Sequence, residues 1–330
     1  MLDLSDIGNG LPVGVIAQRV TDRAEWLGWR KGNINASEAA ALYGPGIHPY
    51  TSAYQLWAER SGKLRPHAET KAMKRGNLLE GAAIELAREE RPGWTILPPK
   101  VYLHHPEWRI GATPDAFYFF WQDGQGSPKL GNLQTKTVGK WAFEKFWRDP
   151  DTGEPRPPTW VAVQSSIEAI LSGCDYAAVA AMVISDGGIL DMHIFDEFPL
   201  KPALINTLRP RVQDFWRRVE ENDPYPIDWG VDREAMLEVY RDSDGSQVDL
   251  TGDLEVQTWL TVRATLKEAE KEGSIAKKER QDIDARLIER MGNAEVASFG
   301  DQIIKAATVK VRAYSVPENQ YRAVRIKEAK

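Results

Sequence analysis

Gln134 and Lys136 stand two apart in the strand-like run LGNLQTKTV, and Asp115 stands upstream in WRIGATPDAFYFFW. Alternate residues of a strand share a face, so an amide oxygen and an ammonium would point the same way. Between the two runs lies DGQGSP (residues 123–128), a turn cluster that predicts an antiparallel hairpin centred near Gln125. Reflection about that centre sets Thr135 opposite Asp115, and the hairpin then gathers an acid, an amide oxygen and a lysine at one end of a sheet. Such a set suits phosphodiester hydrolysis assisted by magnesium. Hard cations take oxygen ligands and bind through one or two carboxylates plus the substrate phosphate. A neighbouring lysine orients or helps deprotonate the attacking water and offsets charge at the phosphate. Taken alone, the same pattern also suits an exposed hairpin with incidental polar residues.

Two more polar residues bear on the choice. Glu80 sits at helical offsets from Ala83, Ile84 and Ala87, which puts a carboxylate on a largely apolar helix face. That placement is costly unless something positive pairs with it, and a metal ion would do so. Gln164 sits likewise between Trp160, Ile167 and Leu171 in TWVAVQSSIEAIL. Each by itself reads equally as a core polar group with a buried partner; together they surround one candidate hairpin.

The elements that must hold these residues follow from periodicity. Residues 15–30 (VIAQRVTDRAEWLGWR) have roughly helical spacing, and NINASEAAALYG reads as a short entry and a capped helix beginning near Ser37. TSAYQLWAERSG begins at a Thr/Ser pair and stops at Gly62. In GNLLEGAAIELAREE the positions Leu78, Leu79, Ala82, Ala83 and Leu86 predict a packed helix face. Short strands follow from Trp94, then a helix over PTWVAVQSSIEAILSG. YAAVAAMVIS and GILDMHIFD read as a hairpin joined at Asp186-Gly187-Gly188, and PALINTLRPRVQDFWRRVEEN as a closing helix. This order predicts an α/β core with helices on both faces of its sheet. The texture changes near Asp228, which sets a domain at 1–228 and an appendage at 229–330; in the appendage, residues 255–291 read as a long, charged helix with no chemistry of its own.

Composition narrows the class. A chain of 330 residues with 42% hydrophobic content can bury a sizeable core. It has no apolar run of membrane-spanning length and no basic-then-apolar leader at its start, so the reading is a cytosolic protein with no membrane partner. One cysteine, Cys174, excludes an internal disulfide framework, a four-cysteine zinc site and an all-cysteine iron–sulfur cluster. The net charge of −6 opposes wholesale binding to nucleic acid, so any DNA contact must be local. Arg60, Lys63, Arg65, Lys71, Lys74 and Arg75, against Glu69 alone, offer such a place between Arg60 and Gly76, although a solvated loop reads the same way.

WRKGNINAS (29–37), RGNLLEGAAIELA (75–87), IGATPDA (110–116), LQTK (133–136) and Gln164 stand in an order that resembles the YqaJ-type viral recombinases, relatives of phage lambda exonuclease in the PD-(D/E)XK nuclease superfamily. The resemblance spans roughly residues 15–226. It implies a restriction-endonuclease-like α/β core, a central mixed sheet flanked by helices. It matches Asp115 and Glu80 to the family's metal-binding carboxylates, Lys136 to its catalytic lysine and Gln164 to a glutamine beside the nucleophile. The candidate ligand set is Asp115, Glu80, Gln134 and Thr135, holding Mg2+ with Mn2+ as a substitute. Arg30 and Ser37 match residues that grip the 5′-terminal phosphate. The implied activity is 5′ to 3′ digestion of double-stranded DNA ends to 5′-mononucleotides, leaving a 3′ single strand. A single-strand annealing protein as partner, a homotrimer and a phage or prophage setting in the bacterial cytoplasm come with it. Gln134 departs from the family, which usually has glutamate there. An amide oxygen can coordinate a hard cation but brings no charge, so metal affinity should fall. That leaves a second reading, a DNA-end-binding recombination protein without hydrolysis. A third, a RecB-like nuclease of the iron–sulfur type, is opposed by the lone cysteine.

Overall fold

Asp22 decides where the first helix starts. Residues 15–30 are helical only in their second half: the β-branched start forms strand β1 (Ile16–Arg19), and α1 (Arg23–Lys31) begins where the Asp22 carboxylate accepts from the Glu25 backbone N–H at 2.9 Å. A computed structural model describes residues 10–65, 70–121, 128–198, 203–269, 274–311 and 319–328. After α1 come β2 (Ile34–Asn35), the single turn α2 (Ala36–Ala39) and a 3-10 turn at Ala40–Tyr43. The Glu38 carboxylate accepts from the Asn35 backbone N–H at 3.2 Å and so fixes the start of α2. Helix α3 (Ala53–Arg60) runs out at Gly62, which takes the left-handed conformation expected of a helix stop. Helix α4 (Lys71–Glu90) is capped by Thr70.

Then follow β3 (Thr95–Leu97), β4 (Val101–His105), β5 (Ile110–Ala112), β6 (Ala116–Phe120), β7 (Lys129–Gly139), α5 (Lys140–Phe146), α6 (Thr159–Ser172), β8 (Tyr176–Ile184), β9 (Leu190–Phe198) and α7 (Ala203–Glu221). Strands β3-β6-β7-β8-β9 form a mixed sheet in that order, with β7 and β8 parallel and the other pairs antiparallel. A parallel pair needs a crossover, and α5 and α6 supply it. On one face Ile84 and Ala87 of α4 pack against Ala116, Leu133, Ala178 and Ala180; on the other, Phe143, Trp147 and Val161 pack against Val179, Ala181 and Val183. Covered on both sides, β8 is the near-continuous apolar run YAAVAAMVI. A second sheet, β1-β4-β5-β2, carries the loop that leads to Asp115.

Two expectations about packing change here. The turn of the β6–β7 hairpin lies mostly outside the described residues, but the ladder pairs Ala116 with Leu133 and Phe117 with Asn132. Continued by one step that register sets Gln134 opposite Asp115, and the Asp115 carboxylate is bonded by both Gln134 and the expected Thr135. On α4 the packed stripe is Ala83, Ile84 and Ala87, while Leu78 is 72% exposed. Leu78 lies nine residues before Ala87, which at about 100° per residue is the opposite side of the helix.

The chain divides into two compact units, Met1–Ala53 with Pro66–Asp223, and Tyr54–Arg65 with Pro224–Lys330. The second adds α8 (Arg233–Val239), β10 (Gln247–Asp249), α9 (Leu254–Ala269), α10 (Ser274–Met291), β11 (Val296–Phe299), β12 (Gln302–Lys305), β13 (Thr308–Val311), β14 (Asn319–Arg322) and β15 (Arg325–Glu328). Its sheet runs β10-β11-β12-β15 beside a β13-β14 ribbon. Residues 255–291 are two helices packed on each other, not one long helix. Leu260, Leu287, Ile288 and Met291 are buried, and Asp284 pairs with Arg263 and, at 2.6 Å, with Arg280. Among the described residues no helix is long and apolar enough to cross a membrane.

Candidate active site

Asp115 is fixed by the strand that faces it. Its Oδ2 accepts from the Thr135 backbone N–H at 2.8 Å, from Thr135 Oγ1 at 2.9 Å and from Gln134 Nε2. Oδ1 takes no hydrogen bond from a described residue, and the carboxyl lines a cleft of about 380 Å³ shared with Glu80, Arg23, Trp26 and Lys100. Burial lifts the Asp115 carboxyl above the usual range, opposed by the Lys136 ammonium and by the Thr135 bonds. Glu80 reaches the same cleft from α4, on the turn before the packed stripe. Its residue surface is largely exposed, yet enough protein surrounds the carboxyl that burial, and then the Asp115 charge, push it up to about 7 against the pull of Lys136. Lys136 forms no ion pair with a described residue, so its charge acts on both carboxyls.

Gln134 is almost fully buried, and its amide is held at both ends. Its nitrogen donates to Asp115 and, at 3.1 Å, to the Thr135 carbonyl; its oxygen accepts from Gln164 Nε2 at 2.8 Å. Gln164 Nε2 also donates to Glu168 Oε1 at 2.9 Å, and Glu168 Oε2 accepts from Asn132 Nδ2 at 3.2 Å. Hence Gln164 is a buried polar residue with a partner at the hairpin. Glu168, 1% exposed and without an ion pair among the described residues, is the carboxyl that reading the sequence missed. Burial first, and then the Asp115 charge, push it up to about 8. Its signal was visible: it stands four residues after Gln164, on the same face of a helix otherwise made of apolar and small residues.

Arg30 and Ser37 also meet, with the guanidinium donating to Ser37 Oγ at 3.3 Å. Arg30 lies 4.9 Å over the Trp26 ring and 3.8 Å from Glu38. Trp26 Nε1 in turn donates to Thr113 Oγ1 at 3.1 Å, which ties this pair to the loop carrying Asp115. His48, also missed, donates to the Ser37 backbone carbonyl, and burial holds its pKa below the ordinary value, helped by the Lys136 charge and opposed by the Ser37 bond and Glu38. Of the basic window between Arg60 and Gly76, Arg60, Lys63 and Arg65 belong to the second unit, with Arg65 bound to Glu238 at 2.7 Å, and Lys71, Lys74 and Arg75 stand exposed on α4 of the first.

The donor set fits a hard divalent cation in kind. Two carboxyls raised by burial, Glu80 also by the Asp115 charge, line one cleft, and Gln134 and Thr135 follow on the strand that holds Asp115. Among the described residues no three acidic, histidine or cysteine side chains cluster to hold a metal, so neutral oxygens and water would complete the shell. The amide of Gln134 must turn over to offer its oxygen, because its nitrogen now points at Asp115.

A sequence profile described as the YqaJ-like viral recombinase domain matches residues 25–279. No curated protein sequence matches the chain significantly. Among solved structures, the alkaline exonuclease LHK-Exo from Laribacter hongkongensis is 20% identical, with 60% of this chain and 93% of that one aligned at a TM-score of 0.43. The protein SSO0001 is 13% identical over 62% and 89% at 0.32, and SOX, solved in complex with DNA, is 11% identical over 60% and 67% at 0.37.

Proposed function

The chain belongs to the YqaJ-like viral recombinase family, and from that premise we propose that it is a divalent-metal-dependent exonuclease that digests double-stranded DNA from 5′ ends in phage-type recombination. The observation that carries the reading is the meeting of Asp115 and Glu80 at one cleft under the charge of Lys136. Asp115, Glu80, the Thr135 carbonyl and the Gln134 oxygen would hold Mg2+ or Mn2+, which when bound supplies charge to polarise the scissile phosphate. Lys136 orients the attacking water and offsets the charge that grows on the phosphate oxygens. Arg30 and Ser37, already paired, receive the terminal 5′-phosphate, a guanidinium being suited to two parallel bonds with it. Gln164 holds Gln134 in place. On this reading the protein works beside a single-strand annealing protein in the bacterial cytoplasm and assembles as a homotrimer.

A second reading, a DNA-end-binding protein without hydrolysis, is favoured by one feature: Gln134 brings no charge and presents nitrogen to Asp115. Nucleotide release from linear duplexes with 5′-phosphate or 5′-hydroxyl ends, in magnesium or manganese, decides between them. The exonuclease reading expects release from phosphorylated ends. It also expects Gln134→Glu to lower the half-maximal metal concentration about tenfold, the effect of ~1.4 kcal/mol from one added charge. No release by the parent with either cation, and release restored by Gln134→Glu, would establish the second reading instead.

A further inference from the structure

A row of aromatic rings leads away from the candidate active site. At its inner end His48 contacts Ser37 and feels the charge of Lys136. His48 lies 6.3 Å from Trp160, and Tyr50 lies 6.4 Å from it, nearly perpendicular. Trp160 meets Phe146 at 5.8 Å, and Phe146 meets Trp141 at 6.3 Å. The rings come from three places in the chain, the loop before α3, the start of α6 and helix α5, yet form one continuous series within the first unit. Phe146 and Trp160 rest on the buried cluster of Phe143, Trp147 and Val161, so the row has a fixed base. Two of its members stand in water: Trp141 at the outer end is 71% exposed, and Tyr50, beside His48 and Trp160, 67%.

Large rings left in solvent beside one another mark a binding surface more often than chance. Charge says what kind. The Lys145 ammonium lies 4.8 Å from the Trp141 ring and 5.0 Å from the Phe146 ring, while Lys136 stands at the inner end. The nearest acid on α5, Glu144, is held by Arg148 through two bonds, at 2.5 and 2.9 Å. Rings interleaved with unopposed cations match a strand whose bases are bare and whose backbone is anionic. A duplex hides its base faces and would find nothing to stack on.

We propose that the row His48–Trp160–Phe146–Trp141, with Tyr50 and Lys145, is a stacking track for the single DNA strand that remains when its partner is digested. The choice of strand rests on the nuclease reading: the digested strand ends at Arg30 and Ser37, so bases that run outward past His48 belong to the other one. A few nucleotides of 3′ overhang would lie along the track from Lys136 outward, kept clear of Asp115.

The test measures binding of the full chain in EDTA, where no hydrolysis occurs, to a fluorescent duplex that is blunt, has a 3′ overhang or has a 5′ overhang. The 3′ overhang is expected to bind more tightly than the blunt end. Trp141→Ala should remove about tenfold of that affinity, the scale of one lost base–ring stack, while leaving blunt-end binding unchanged; Trp141→Phe should restore most of it, and Tyr50→Ala should act like Trp141→Ala. Equal affinity for blunt and 3′-overhang ends, equal loss on both in Trp141→Ala, or the same Trp141 dependence with a 5′ overhang each overturns the proposal. So does a Trp141→Ala variant that changes oligomeric mass by light scattering without changing DNA binding, which would make the row a contact between copies. Hydrolysis of blunt duplex by the parent, scored separately in magnesium, tells a failed track from a failed nuclease reading.

Discussion

Glu168 is the residue whose environment asks most for an account. Its carboxyl is buried against two amides, with no cation in contact, and the Asn132 oxygen beside it has no partner. A protonated Glu168 removes both difficulties: it carries no buried charge, and its O–H can donate once Asn132 turns over. Given to Gln164 instead of Asn132, the same single O–H would let the amide chain reverse, with Gln164 presenting oxygen to Glu168 and to Gln134, and Gln134 presenting oxygen to the cleft. The pH dependence follows from the raised pKa. The folded state keeps this proton up to about 8, while the unfolded chain releases it near the ordinary 4.5. Where the folded state binds more protons, stability falls as pH rises, so the contribution of Glu168 is fullest below 4.5 and is lost on the way to 8. Glu168→Gln keeps the shape and a donor for Asn132 but has no charge to bury. Thermal melts at pH 5 and pH 8.5 should show the variant gaining on the parent as pH rises, by on the order of 2 kcal/mol. A gap that narrows with rising pH would mean that Glu168 is held as a carboxylate.

Strands β6 and β7 set the site because their register decides which residue meets Asp115, and Gly131 helps to lock it. A Cβ at Gly131 would enter the Tyr118 ring, which is buried and stacked on Trp94 at a centroid distance of 3.9 Å and so has no room to yield. Gly131→Ala should therefore cost about 1–3 kcal/mol by overpacking, read as a lower urea midpoint, and trimming the ring in a Gly131→Ala/Tyr118→Leu double variant should recover part of it. Additive losses in the double variant would show that the two positions do not touch. What the sequence made legible at this scale follows period. Gln134 and Lys136 share a face because strands alternate, and Glu80 was readable as a misfit because Ala83, Ile84 and Ala87 follow it within two turns on the same side of the helix. Thr135 was readable as the residue that meets Asp115, while the bond from Gln134 to the same carboxylate was not, because alternation alone does not say how the two strands are registered. Residues 255–291 looked like one helix because charge is dense throughout, while the pairing of Arg263 with Asp284 that folds the segment on itself is a contact between distant residues. Glu168 was passed over for a similar reason: only the fold brings Asn132 and Gln134 to α6.

Across the whole molecule the charge is −6, so the average field repels DNA and cannot by itself keep an enzyme on its substrate. Local cations can start an encounter, but such contacts weaken steeply with salt, because each neutralised phosphate releases a counterion that salt drives back. An exonuclease that digests processively, on the reading proposed above, would need another means of staying bound, and the homotrimer implied by the family resemblance would provide one by closing around the DNA, since a threaded end cannot leave sideways. Light scattering is then expected to give about three times the 37.1 kDa chain mass. Loading and retention should also separate. As salt rises from about 50 to 200 mM, the rate of loading onto ends should fall by orders of magnitude, while the number of nucleotides removed per binding event, measured with an excess of competitor DNA, should change little. A mass of one chain at micromolar concentration, or a run length that falls in step with loading, would mean that contacts alone hold the DNA and that encirclement is not how this chain stays on it.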